Sequence, residues 1–205
     1  INAAGYGGPA LDGHVGAHPA GTNATANREE PINLRGVHDD IGTVDTAALR
    51  ATFGRFPSGV TALCATDMTG EPIGMAVSAF VNVSLEPPLV GVFVQTSSTT
   101  WPKLRERPRI GLSVLGAGQQ TPCRQLAARQ VDRFANVSWE SGPDGSVFLH
   151  GAAAWFDCEI ESETTTGDHR FVLLRILGHD FEAEQDPLVF YASKFHELPN
   201  GIPDN

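Results

Sequence analysis

The chain has 205 residues, enough for one domain of ordinary size with a sizeable core and an extension. Its 24 acidic residues outnumber 14 Lys and Arg, for a formal net charge of -10, which excludes non-specific binding to nucleic acid or to an anionic membrane, since both need a basic surface. No apolar run approaches the ~20 residues that cross a bilayer, and no charged-then-apolar leader opens the sequence, so a cytoplasmic location is expected.

Residues 1–42 are rich in Gly, Ala, Pro, Asn and Thr, lack helix or strand periodicity, and are expected to form a disordered extension. His14 and His18 have metal-ligand spacing, but it carries no weight in a Gly-rich segment that should not be helical. From Val44 the pattern changes. "DTAALRATFGRF" predicts one short helix behind the capping candidates Asp45 and Thr46, stopped by Pro57. "GVTALCAT", "IGMAVSAFVNVS" and "LVGVFVQ" are β-branched runs divided by turn residues and predict antiparallel strands. A second helix is expected over Ser98 to Arg107, then the strand "RIGLSVL" and a third short helix in "TPCRQLAARQ".

In "SVFLHGAAAWFDCEIE", Phe156, Cys158 and Ile160 alternate with Asp157, Glu159 and Glu161 as on a half-buried strand. "HRFVLLRIL" and "DPLVFYA" complete the strands. Many strands, few helices and no βαβ alternation predict a closed or split β-barrel rather than a doubly wound sheet. Cys64, Cys123 and Cys158 are odd in number and lack ligand spacing, so buried, reduced thiols are expected and no metal site is predicted.

In "IGLSVLGAGQQT" an apolar run ends in a glycine pair. Gly116-Ala117-Gly118 resembles the start of a dinucleotide fingerprint, but Thr121 stands where the third glycine belongs and Pro122 follows, so any dinucleotide must bind elsewhere. Nor does a G-x-S-x-G elbow mark a hydrolase. "VSAFVNVSLEPP" places Ser78, Asn82 and Ser84 in an apolar strand pair, where a heteroaromatic ligand or a plain strand-edge turn would satisfy them. "QTSSTTW" sets five hydroxyl residues at a predicted helix start, suited to an anion such as phosphate or to simple capping. Gly167-Asp168-His169 precedes the strand "RFVLLRIL", which either fixes a histidine at a barrel mouth or forms a hairpin turn with an incidental one.

Taken in order, "FGRFPSGVTALCA", "GEPIGMAVSAFVNVSLEPPLVGVFV", "SSTTWPKL", "RFANVSW", "GDH" and "DPLVFYASKFHEL" resemble the flavin reductases that serve two-component flavin-dependent monooxygenases. The resemblance runs from about Ala48 to Leu198 and divides the chain into the extension 1–42, a domain 43–198 and a tail 199–205. It implies a mainly β, six-stranded antiparallel split barrel of the flavin-reductase type, forming a homodimer that reduces FAD or FMN with NADH or NADPH for a partner monooxygenase. FAD and NADH are the preferred pair, the latter because no Arg cluster awaits a 2′-phosphate.

Carried over by motif, Ala76, Val77, Ser78, Ala79, Asn82, Val83 and Ser84 are expected at the isoalloxazine and ribityl chain, and Ser98, Thr99 and Thr100 at the flavin phosphate. His169 is the expected catalytic residue at the nicotinamide, supported by Gly167 and Asp168; Pro57, Ser58, Phe134 and Tyr191 are expected to line the site. Leu174 departs from the small residue common in that strand, so packing beneath the nicotinamide is expected to differ. The rival readings are a non-catalytic flavin-binding module and a pyridoxamine-phosphate-oxidase-like enzyme on the same barrel.

Overall fold

In the computed structural model the described residues are 34, 36, 43–129, 131–196 and 198. The extension 1–42, Leu34 and Gly36 apart, and the tail 199–205 lie outside them. The chain divides into two units, Ile1–Val37 and His38–Asn205, and every element below belongs to the second.

Helix α1, Thr46–Phe53, starts as the sequence predicts: the Asp45 carboxylate accepts from the Ala48 N–H at 2.9 Å. Its partner elements are almost all strands. They are β1 Ser58–Gly59, β2 Thr61–Thr66, β3 Pro72–Val77, β4 Phe80–Leu85 and β5 Pro88–Gln95. After helix α2, Trp101–Leu104, come β6 Ile110–Val114 and helix α3, Gln120–Ala127. A hairpin follows, β7 Trp139–Ser141 with β8 Val147–Leu149, then the long pair β9 Ala154–Thr166 and β10 His169–Phe181, and last β11 Val189–Tyr191 and β12 Lys194–His196.

The main sheet has seven antiparallel strands rather than six, in the order β3-β2-β6-β9-β10-β5-β4. "IGMAVSAFVNVS" is two strands, not one. The chain breaks at Ser78-Ala79, where it passes from β3 on one edge of the sheet to β4 on the opposite edge. Val77 and Phe80 are three steps apart, at most ~11 Å, so the ends of the two edge strands lie near each other there without pairing. The Ala79 carbonyl accepts from the Phe93 N–H at 3.0 Å and ties the crossover to β5.

The period-2 alternation of strands sorts the core. Leu63, Val92, Leu112, Cys158, Val172 and Leu174 face one buried cluster, completed by Trp101 and Leu104 from α2. Ala62 and Cys64 face a second cluster with Leu115, Leu126, Val147, Leu149 and Leu188. β2 is therefore buried on both faces, because α3 and the β7–β8 hairpin cover its outer side. Each fully buried Leu contributes roughly 2 kcal/mol relative to exposure. Phe156, Cys158 and Ile160 point inward as their alternation predicts, and all three cysteines are buried and free.

Helix α2 is shorter than the predicted Ser98 to Arg107. The Ser98 hydroxyl accepts from the Trp101 N–H at 3.1 Å, so Ser98 to Thr100 form a turn ahead of the helix, and Pro108 disfavours helical backbone at Arg107. Gly116 and Gly118 serve the turn from β6 to α3, where the Gly116 N–H donates to the Gln119 side chain at 2.7 Å. They are turn residues of a strand-to-helix connection, not a phosphate loop.

Candidate active site

The crossover, the end of β5, the Ser97–Thr100 turn, the end of α3 and the start of β10 enclose a cavity of 320 Å³. Met75 to Ala79 form one wall and Phe93 to Gln95 another. Ser97 to Thr100 line a third side, Arg129 and Arg133 a fourth, and His169 stands at the β10 end.

His169 is placed by a two-residue hairpin. Gly167 takes φ +62°, a conformation that glycine adopts without penalty, and turns β9 into β10. The Asp168 carbonyl accepts from the Thr96 N–H at 3.0 Å and from its hydroxyl at 2.9 Å, which brings the hairpin tip beside the hydroxyl-rich turn. The Asp168 carboxylate lies 2.7 Å from His169 Nδ1. A carboxylate only accepts, so Nδ1 carries the hydrogen and Nε2 is left free to meet a ligand. The same hydrogen bond, with the imidazole's charge when protonated, holds the Asp168 carboxyl below the usual carboxylate range.

The cavity's charge is opposite to the chain's. Arg129, Arg133 and His169 line it, and none of its lining residues is Asp or Glu. Arg133 is fixed from three sides: its guanidinium donates to the Gly74 carbonyl at 2.8 Å, the Thr100 hydroxyl at 2.6 Å and the Ala128 carbonyl at 2.9 Å. Desolvation, then the neighbouring Arg129 charge, lowers its pKa, the mark of a cation without an anionic partner. No described residue accepts from the N–H groups of Ser97, Thr99 or Thr100. This donor set suits a phosphate or pyrophosphate. The attraction comes from the arginines rather than a helix dipole, because α2 is a single turn.

Ala76 to Ala79, Ser98 to Thr100 and His169 thus line one cavity. Ser98 itself is spent on the turn, its oxygen on the Trp101 N–H and its hydrogen toward Met75 Sδ at 3.8 Å. Pro57 and Ser58 line an adjoining groove of 570 Å³, with Phe53, Phe56, Val81 and Phe93, that shares Ser78 and Ala79 with the cavity. Phe134 lines a third space of 380 Å³ that shares Thr99, Thr100 and Arg133.

Asn82, Val83 and Ser84 line none of these spaces, because β4 runs along the far edge of the sheet, away from the crossover, at ~3.3 Å per residue. Tyr191 stands apart on the small β1-β11-β12 sheet, where its hydroxyl accepts from Arg55 at 3.4 Å. Leu174 lies in the sealed core rather than at the cavity. Arg129 and Arg133 escape the sequence reading: four residues apart beyond a short helix, they show no cluster until the loop folds back on Gly74, and the expected absence of an Arg cluster therefore gives no ground for NADH over NADPH.

Residues 53–199 match the flavin reductase like domain family, and the chain belongs to it. It is 36% identical over 148 residues to a flavin reductase of Pseudomonas putida, covering 72% of this chain and 87% of that protein. It is 34% identical over 152 residues to the flavin-dependent monooxygenase reductase subunit HsaB of Rhodococcus jostii, covering 74% and 77%. Among solved structures, the Streptomyces globisporus NADH:FAD oxidoreductase SgcE6, in complex with NAD and FAD fragments, superposes with a TM-score of 0.74 at 30% identity, covering 82% of this chain and all of that one.

Proposed function

We propose that this chain is an NADH-dependent flavin reductase that transfers hydride to FAD and supplies the reduced flavin to a partner monooxygenase. The observation that carries the reading is the cationic cavity of an acidic chain, in which Arg129, Arg133 and free N–H groups converge beside an oriented histidine. The relative that is a monooxygenase reductase subunit supports the partner. FAD is favoured over FMN because the cavity and the 380 Å³ space share Thr99, Thr100 and Arg133, giving room for a second nucleotide half beyond the phosphate anchor.

When bound, the two dinucleotides supply the chemistry, a hydride passing from nicotinamide C4 to flavin N5. The chain's own residues bind and align. The Ser97–Thr100 turn and the two arginines hold phosphate, the Ala76–Ala79 backbone and Phe93 flank the ring and exclude water, and His169 Nε2 orients the nicotinamide with Asp168 fixing its tautomer. No acid–base pair is needed, which accounts for the absence of facing carboxylates from the lining.

The domain of residues 43–198 works as a homodimer in the cytoplasm on a split barrel. The two-residue link between opposite sheet edges supports the barrel, the apolar groove of Phe53, Phe56, Val81 and Phe93 supports the dimer, and three reduced thiols support the compartment. Steady-state NADH oxidation with added FAD tests the function. Turnover that requires both is expected; flavin binding without NADH oxidation would leave only a flavin carrier.

A further inference from the structure

Glu163 occupies a position on β9 that no motif of the sequence marks. Its side chain is 15% exposed and meets three donors. Oε2 accepts from the indole N–H of Trp101 at 2.9 Å; Oε1 lies 3.1 Å from Arg105 and 3.1 Å from Arg170. Trp101 and Arg105 are the first residue and the C-cap of α2, and Trp101 is sealed in the core. The Trp101 backbone N–H donates to the Ser98 hydroxyl, so holding the indole anchors the Ser97–Thr100 turn. Arg170 follows His169 directly at the start of β10.

We propose that Glu163 is a positioning residue: one carboxylate holds the phosphate-binding turn through Trp101 and Arg105, and His169 through Arg170. The inference rests on the flavin-reductase reading of the cavity. Two guanidiniums converge on one carboxylate oxygen, so neutralising it leaves two cations repelling each other at the joint between the two ligand-binding segments. The turn and the histidine then lose their common reference. The two arms are separate, since Arg105 belongs only to α2 and Arg170 only to β10, and this separation gives the proposal its test.

Flavin dissociation constants, measured by fluorescence titration with FAD, are combined with steady-state KM values for FAD and NADH. Glu163→Gln is expected to weaken FAD binding about tenfold and raise the NADH KM about fivefold with kcat changed less than about threefold, the pattern of misplaced binding groups rather than lost chemistry. Arg105→Gln should weaken FAD binding alone, and Arg170→Gln should raise the NADH KM alone. Both arginines are partly exposed, at 47% and 33%, so these variants decide the matter even if Glu163→Gln fails to fold. Folded arginine variants that shift both ligands together, or neither, overturn the proposal. A wild-type protein that binds FAD but does not oxidise NADH defeats the reductase reading instead, and the FAD affinity of Arg105→Gln still tests the turn's arm.

Discussion

His169 is oriented by its neighbour in the chain, through a carboxylate that lies largely in solvent, so its contribution falls on ligand binding more than on folding. His169→Ala should leave FAD affinity and thermal stability nearly unchanged while lowering kcat/KM for NADH ten- to a hundredfold, the loss of about 1.4–2.7 kcal/mol expected for one good polar contact. Stopped-flow reduction of FAD-loaded protein at rising NADH checks it; an unchanged NADH dependence would remove His169 from the site. A second residue is strained without a ligand to explain it. Ala192 takes φ +48° in the β11–β12 hairpin, where its N–H donates to the Gly54 carbonyl at 2.9 Å. The left-handed region costs a non-glycine residue roughly 1–2 kcal/mol, partly offset by glycine's greater freedom when unfolded, so Ala192→Gly should stabilise by about 0.5–1 kcal/mol. A raised Tm in thermal unfolding is the expected readout.

At the scale of elements, β6 and the β7–β8 hairpin touch backbone to backbone. A methyl group on Gly111 would collide with the Val147 carbonyl, and β6 cannot move without opening the first core cluster, nor β8 without opening the second. Gly111→Ala is expected to cost about 3 kcal/mol or more, read as a lowered urea midpoint at constant slope. β2 and β9 carry buried thiols, and burial pushes Cys64 and Cys158 up to about 12 from an ordinary 9.0. Raised values mean that the stability they confer is complete below pH 9 and is lost as pH climbs from there toward 12, at up to ~1.4 kcal/mol per pH unit for each thiol. The double variant Cys64→Ala, Cys158→Ala should show a shallower alkaline decline of its urea midpoint than the wild type.

Strand and helix periodicity made most of these elements legible, because each reports a local preference: the Asp45 cap, the inward Phe156, Cys158 and Ile160, and the Gly167 turn all stand where the sequence places them. The β7–β8 hairpin and the break at Ser78-Ala79 were not legible, since both are set by which edge the next strand pairs with. The same limit governs the site. "SSTT" and "GDH" could be read, whereas Arg133 is held at the cavity by the Gly74 carbonyl and the Thr100 hydroxyl, 59 and 33 residues away in sequence.

For the whole molecule, the decisive contrast is between a net charge of -10 and a cavity without carboxylates. Such a field repels anions broadly and favours them at one place, which suits a protein that binds phosphorylated ligands and releases one of them. The exposed Phe53 and Phe56, 66% and 80% accessible, form with Val81 and Phe93 an apolar surface that a second copy would cover. Phe56→Asp should convert the proposed dimer to monomer in light scattering and weaken FAD binding, since the groove adjoins the cavity; a wild-type monomer would refute the proposed homodimer.

Anaerobic mixing of the FAD-loaded wild-type protein with NADH shows whether this chain passes a hydride from NADH to FAD. The oxidised flavin's visible absorbance should be lost at a rate that saturates with NADH. Bleaching no faster than that of free FAD under the same conditions would contradict that transfer.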